Sequence, residues 1–265
     1  MQDQYGREID YVRVSITDRC NLRCTYCMPE AGVRPLPCAD ILRFEEIEAI
    51  CQALSELGVS RVKITGGEPL VRRDAPELIR RLKALPGIRQ VTLTTNGVLL
   101  LEQAEALLDA GIDGINISLD TLDAQVYARL TRRDALAQVL AGLDRLQSLG
   151  YDRVKLNCVP IKGINDDQLV PLTALAQRQP LAVRFIEMMP IGLGRDYPAI
   201  SREEIMTQLA AAFGPLTPSG QRLGNGPAQY YTLPGFAGQI GFISAVHHKF
   251  CAQCNRVRQI GRAHV

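Results

Sequence analysis

The chain has no tryptophan and only three histidines, and aromatic residues make up just 5% of it. All three histidines (His247, His248, His264) lie towards the C-terminal end, so none is at hand for a metal site elsewhere. Charge of one sign is lacking too. With 30 Lys+Arg against 28 Asp+Glu the net charge is +2, which excludes a general polyanion-binding surface and makes any anion site a local one. No apolar run is long enough to span a bilayer, and the start, MQDQYGREID, has no apolar signal segment. A cytoplasmic chain without membrane or nucleic-acid partners is therefore expected. Neither GxxxxGK[ST] nor GxGxxG occurs, so no P-loop and no dinucleotide fingerprint is available.

What is present is 265 residues, 46% of them hydrophobic, enough for one large domain with a real core. Short β-rich runs alternate with amphipathic helical ones. Strands are predicted at 11–17, 61–66, 90–95, 114–119, 153–159 and 182–189. Helices are predicted at 45–58, 75–85, 101–111, 134–149, 167–177 and 202–212. Successive strand–helix units imply an α/β chain with a parallel sheet and right-handed crossovers, a partial (β/α)6 TIM-like barrel over residues 1–213. Residues 214–265, with Gly/Pro turns and the short strands YYTL and QIGFIS, read as a C-terminal extension rather than a second core. Ligands of such folds collect at the C-terminal ends of the strands. Candidates by that rule are Thr17, Asp18, Gly66, Gly67, Glu68, Thr94, Thr95, Asn96, Ser118, Asp120, Asn157, Glu187 and Met189.

Eight cysteines are few for a disulfide framework in a chain this long, but their spacing is informative. Cys20, Cys24 and Cys27 form C-x3-C-x2-C in the loop after the first predicted strand; Cys251 and Cys254 form C-x2-C near the other end. Structural zinc takes four protein ligands, and no fourth cysteine or histidine is close to the first group. Three thiolates suit a four-iron cluster better, leaving one iron open to a ligand. Cys51 lies on the apolar face of a helix and Cys158 ends a strand, so both read as small buried hydrophobes.

The string SITDRCNLRCTYCMPE, followed by TGGEP at 65–69, resembles the radical S-adenosylmethionine (SAM) superfamily. The resemblance implies a [4Fe-4S] cluster on Cys20, Cys24 and Cys27 whose open iron chelates SAM. The small pair Gly66-Gly67 is expected to let the amino group of a ligand approach the backbone.

The second pair sits in FCAQCNRVR, where Arg256 and Arg258 place guanidinium forks, suited to phosphate, beside the cysteines. Arg13, Lys63, Lys155 and Arg184 lie within predicted strands; cations facing a barrel interior imply an anionic ligand. The segments GREIDYVRVSITDRCNLRCTYCMPE, KITGGEPLVRRD, LTTNG, INISLDTLD, VKLNCV, RFIEMMPIG and FCAQCNRVR together resemble the GTP 3',8-cyclase family, whose members open molybdenum cofactor biosynthesis. By that resemblance Tyr26, Gly67, Ser118 and Met189 line the SAM site. Arg13, Lys63, Thr94, Lys155, Arg256, Val257 and Arg258 contact GTP. Cys251 and Cys254 belong to a second [4Fe-4S] cluster whose open iron binds guanine. An electron donor such as flavodoxin or ferredoxin is implied, and a homodimer is compatible.

The sequence departs from the family pattern at its end. A third cysteine of the second cluster would fall beyond Val265, and none follows Cys254. The last residues, IGRAHV, are what ATC GGA AGA GCA CAC GTC encodes, the start of a common sequencing adapter. The chain is thus expected to be C-terminally incomplete, with coding identity lost near Gln259 and activity impaired. Two rivals stand beside the cyclase: another radical SAM enzyme with an auxiliary cluster, such as one maturing peptides, and an inactive iron- or zinc-binding fragment. His247 and His248 could replace the missing cysteine, though a solvated loop pair is the simpler reading.

Overall fold

A computed structural model describes residues 1–221 and 223–260. The expected tail at 261–265, with His264, falls outside the described residues. The strands are β1 (Tyr11–Ser15), β2 (Arg61–Thr65), β3 (Gln90–Thr95), β4 (Gly114–Ser118), β5 (Val154–Cys158), β6 (Ala182–Ile186), β7 (Thr217–Pro218), β8 (Gln229–Thr232), β9 (Gln239–Ile243) and β10 (Arg256–Gln259). The helices are α1 (Phe44–Glu56), α2 (Ala75–Ala84), α3 (Leu100–Asp109), α4 (Ala124–Thr131), α5 (Leu136–Ser148), α6 (Leu169–Arg178) and α7 (Arg202–Phe213). All the predicted strands and helices are there, trimmed or shifted by a residue or a few at their ends. Among the described residues no helix is long and apolar enough to cross a membrane.

The strands form one sheet in the order β10-β1-β2-β3-β4-β5-β6-β9-β8-β7. Everything from β10 to β9 runs parallel, while β8 and β7 return antiparallel. The C-terminal residues therefore extend the six-strand sheet on both edges, β9 beside β6 and β10 beside β1. Inner-face residues of β1 to β6, β9 and β10 line a single cavity, so the sheet curls around it as an open partial barrel.

Alternation along the strands explains that cavity. Side chains on one face are aliphatic or aromatic and sealed against the helices: Val12 and Val14, Val62 and Ile64, Val91 and Leu93, Ile115 and Ile117, Leu156, Val183 and Phe185, Ile240 and Phe242. The opposite face carries Arg13, Lys63, Thr92, Thr94, Asn116, Lys155, Asn157 and Arg184. Strands of a parallel sheet covered on both sides are usually apolar on both faces. Here the inner face is polar and cationic, so the barrel interior is a ligand chamber rather than a packed core. Cys51 and Cys158 are fully buried, as their positions predict.

Candidate functional site

The first cysteine group lies in the loop leaving β1, which is sewn to the segment leaving β2. Gly67 N donates to Thr17 O (2.7 Å) and Glu68 N to Arg19 O (2.7 Å). A Cβ on Gly67 would lie 2.3 Å from Arg19 O, and one on Gly66 would lie 2.7 Å from Thr17 O. The glycine pair thus lets two loops run backbone on backbone. A side chain at either position would meet the backbone of residues 17–19.

Glu68 anchors the same corner. Its buried carboxylate accepts from Thr95 Oγ1 (2.6 Å), Asn96 N (2.6 Å) and Leu70 N (3.0 Å), and burial raises its pKa. Asn96 carries the connection onward, its Nδ2 donating to Asn21 Oδ1 (2.7 Å) and lying 3.9 Å from Cys20 Sγ. On the other flank Tyr26 OH donates to Asp120 Oδ2 (2.6 Å), whose Oδ1 accepts from Val159 N (2.8 Å). Ser118 is half-buried at the end of β4, in register with Asn157. Met189 is exposed in the loop after β6, while its neighbour Met188 packs with Tyr26 and Ile161.

Cys20 and Cys24 are half-buried, Cys27 is exposed, and all three thiols are free. Burial raises each pKa, and that of Cys24 is pushed up to about 12, with the Asp120 carboxylate adding to it. A bound metal would take the place of each thiol's proton. Among the described residues no three Cys, His, Asp or Glu side chains converge on one point that could hold a single ion. A [4Fe-4S] cluster fits the donor set, because each cysteine ligates a different iron and the sulfurs need not converge.

Beneath this loop the inner face of the barrel encloses a cavity of about 130 Å³ lined by Arg13, Lys63, Thr94, Lys155, Arg184 and Arg256. Arg13 stands beside Lys63 in register, and Arg184 beside Asn157. Arg184 donates through Nε to Asn157 Oδ1 (2.9 Å) and through Nη2 to Asn116 Oδ1 (2.7 Å). Arg13 Nε is buried without any partner. Among the described residues no carboxylate pairs with any of these cations. Burial, and then the charges of Arg184, Arg13, Lys155 and Arg256, hold the Lys63 ammonium well below its ordinary pKa. Burial and Arg184 bring Lys155 down to about 8. Buried like charges are costly until a counter-charge arrives, so the chamber is built for a polyanion.

Arg184 is the inward cation that sequence reasoning placed among the basic strand residues without assigning it to the site. Its signal was a charge inside the otherwise apolar run AVRFI. Arg13, Lys63, Thr94, Lys155 and Arg256 meet in the cavity. Arg258 is exposed on the edge strand opposite Arg13, and the Val257 side chain packs on the core.

The cavity shares Gln90, Asn225 and Arg256 with a groove of about 730 Å³ that Cys254 also lines. The second cysteine loop is tied down by the N-terminal segment. Arg7 Nη1 donates to Cys251 O (3.0 Å), and Asn255 Nδ2 to Asp10 Oδ1 (2.7 Å), while Asp10 Oδ2 pairs with Arg61 Nη1 (2.9 Å). Burial pushes the Cys254 thiol up, but hydrogen bonds and charge from Arg256, with Arg7 behind, bring it below its ordinary pKa. The two described histidines, His247 and His248, each stand beside a carboxylate. His247 Nδ1 bonds Glu187, which also accepts from Val246 N (2.8 Å) and His247 N (3.2 Å). His248 Nε2 lies 3.6 Å from Glu203.

Comparison with known proteins gives this geometry a family. Residues 14–176 match the Radical SAM superfamily model, and residues 181–261 match the Molybdenum Cofactor Synthesis C model. The GTP 3',8-cyclase of Pelotomaculum thermopropionicum is 49% identical over 261 residues, covering 97% of this chain and 80% of that one. The GTP 3',8-cyclase of Moorella thermoacetica is 44% identical at the same coverage. Among solved structures, Streptococcus suis SuiB superimposes with a TM-score of 0.59 at 17% identity, over 94% of this chain and 53% of its own. HydG, a maturase of the [FeFe]-hydrogenase, gives 0.60 at 18%, over 78% of this chain and 50% of its own. At those identities the two structures speak for the fold alone. The cysteine spacing, the curled parallel sheet and both family models agree: the chain belongs to the radical SAM superfamily and, within it, to the family of the GTP 3',8-cyclases.

Proposed function

We propose that this chain binds SAM on a [4Fe-4S] cluster held by Cys20, Cys24 and Cys27, and converts GTP to (8S)-3',8-cyclo-7,8-dihydro-GTP, the first step of molybdenum cofactor biosynthesis. The observation that carries the reading is the chamber of cations without a counter-anion, on the inner face of a barrel whose first loop holds three free thiols. When bound, the reduced cluster and SAM supply one-electron chemistry and a hydrogen-abstracting radical. The chain's own residues supply position and charge. Arg13, Lys63, Lys155, Arg184 and Arg256 neutralise a triphosphate, and by fixing it they hold the ribose towards the cysteine loop. Thr94 offers a hydroxyl on the same face, and Tyr26, Gly67, Ser118 and Met189 border the SAM side. Arg258 and the backbone of Val257 contribute from β10.

Residues 1–213 act as the six-stranded barrel, and the extension from 214 onward adds β9 and β10 to its edges and brings Cys251, Cys254 and Arg256 to its groove. Those two cysteines are two of the three ligands that a second, guanine-reading cluster would need, which is why a low product yield is expected. A flavodoxin- or ferredoxin-type carrier is the proposed reductant. The test is release of 5'-deoxyadenosine under strict anaerobiosis with and without GTP. The expected result is SAM cleavage stimulated by GTP, with a low yield of cyclised product. Cleavage indifferent to GTP, or stimulated by a peptide instead, would overturn the reading.

A further inference from the structure

Arg132, at the C-terminal end of α4, holds φ 55°, one of two non-glycine residues with positive φ among the described residues. That conformation favours glycine or asparagine, so an arginine there invites a question about its side chain. The last carbonyls of a helix lack partners within it. Here two of them are taken by the first cysteine loop, Leu130 O accepting from Thr25 N (2.8 Å) and Thr131 O from Arg23 N (2.9 Å). The Arg132 guanidinium then closes the other side. Its Nη1 donates to Arg23 O (3.0 Å) and to Met28 O (3.2 Å), the residues immediately before Cys24 and immediately after Cys27. One cationic group thus ties both ends of the C-x2-C turn, inside which Cys27 N and Met28 N donate to Cys24 O (2.9 and 3.0 Å).

We infer that Arg132 is a positioning residue that staples the Cys24–Cys27 turn in its ligating shape. The inference rests on the proposed function only in taking these cysteines as cluster ligands. Arg132→Gly and Arg132→Asn both tolerate positive φ and remove the staple. In the full chain before iron loading, thiol alkylation is followed residue by residue by mass spectrometry; after anaerobic loading, iron release to a chelator is timed. The expected result is Cys24 alkylating several-fold faster in both variants and iron leaving several-fold faster, with buried Cys51 and Cys158 still protected. Unchanged Cys24 reactivity would overturn the inference, as would Cys51 and Cys158 opening together with Cys24, since the role would then be global stability. If the parent chain takes up no iron, the cluster reading fails while the alkylation pattern still judges the staple.

Discussion

Lys155 shows at the scale of one side chain how the chamber selects its ligand. Burial and then Arg184 depress its pKa to about 8, so the ligand-free ammonium loses its proton as pH rises through that value. A triphosphate beside it favours the charged form and pulls the pKa back up. GTP binding near pH 8 should therefore take up protons, and affinity should fall as pH rises above about 8. Calorimetry in buffers of different ionisation enthalpy reads the uptake directly. Lys155→Met keeps the stem and removes the charge; losing one charge-assisted hydrogen bond of about 1.5–3 kcal/mol weakens GTP binding by roughly ten- to a hundredfold and flattens the pH profile. Glu68 supports a second prediction. Its two oxygens serve three donors, so Glu68→Gln must turn an amide N–H towards another donor. A cost of about 1–3 kcal/mol is expected in urea unfolding.

At the scale of elements, β10 is the vulnerable part. It is an edge strand of four residues paired, among the described residues, with β1 alone, and a slip of one residue would turn Arg256 out of the chamber. Asp10 holds the register by joining Asn255 to Arg61. Asp10→Ala should speed amide exchange across 256–259 and weaken GTP binding, while leaving the thiols of Cys20, Cys24 and Cys27 as protected as before; hydrogen exchange with mass spectrometry and site-resolved alkylation check both halves. β10 also marks what the sequence hides. The six inner strands were legible because their outer face is continuously Val, Ile, Leu or Phe. RVRQ offers one apolar residue, so it reads as a cation string and not as a strand, and only tertiary pairing with β1 reveals it. α4 was missed for a related reason: it is short, and its start is marked by the Asp123 cap and not by a long apolar stripe. The cysteines and inward cations were legible as residue types. The contacts of Asn96, Asp10 and Arg132 with the cysteine loops were not, because they join segments distant in sequence.

At the scale of the molecule, the two cysteine motifs sit at opposite ends of one strand pair. The first follows the C-terminal end of β1, and the second precedes the N-terminal end of its parallel neighbour β10. The four steps of β1 alone separate them by roughly 13 Å at about 3.3 Å per step, with the cations in between. That arrangement makes their metal loading separable. The first loop offers three thiols braced by Asn96 and Tyr26; the second offers two, Cys251 and Cys254. Anaerobic reconstitution should yield about four irons per chain, the content of a single [4Fe-4S] cluster. Cys24→Ala should abolish most of that iron, and Cys251→Ala should leave it nearly intact. A stable content of about eight irons, half of it sensitive to Cys251→Ala, would show that the second loop completes its own cluster with a ligand from elsewhere.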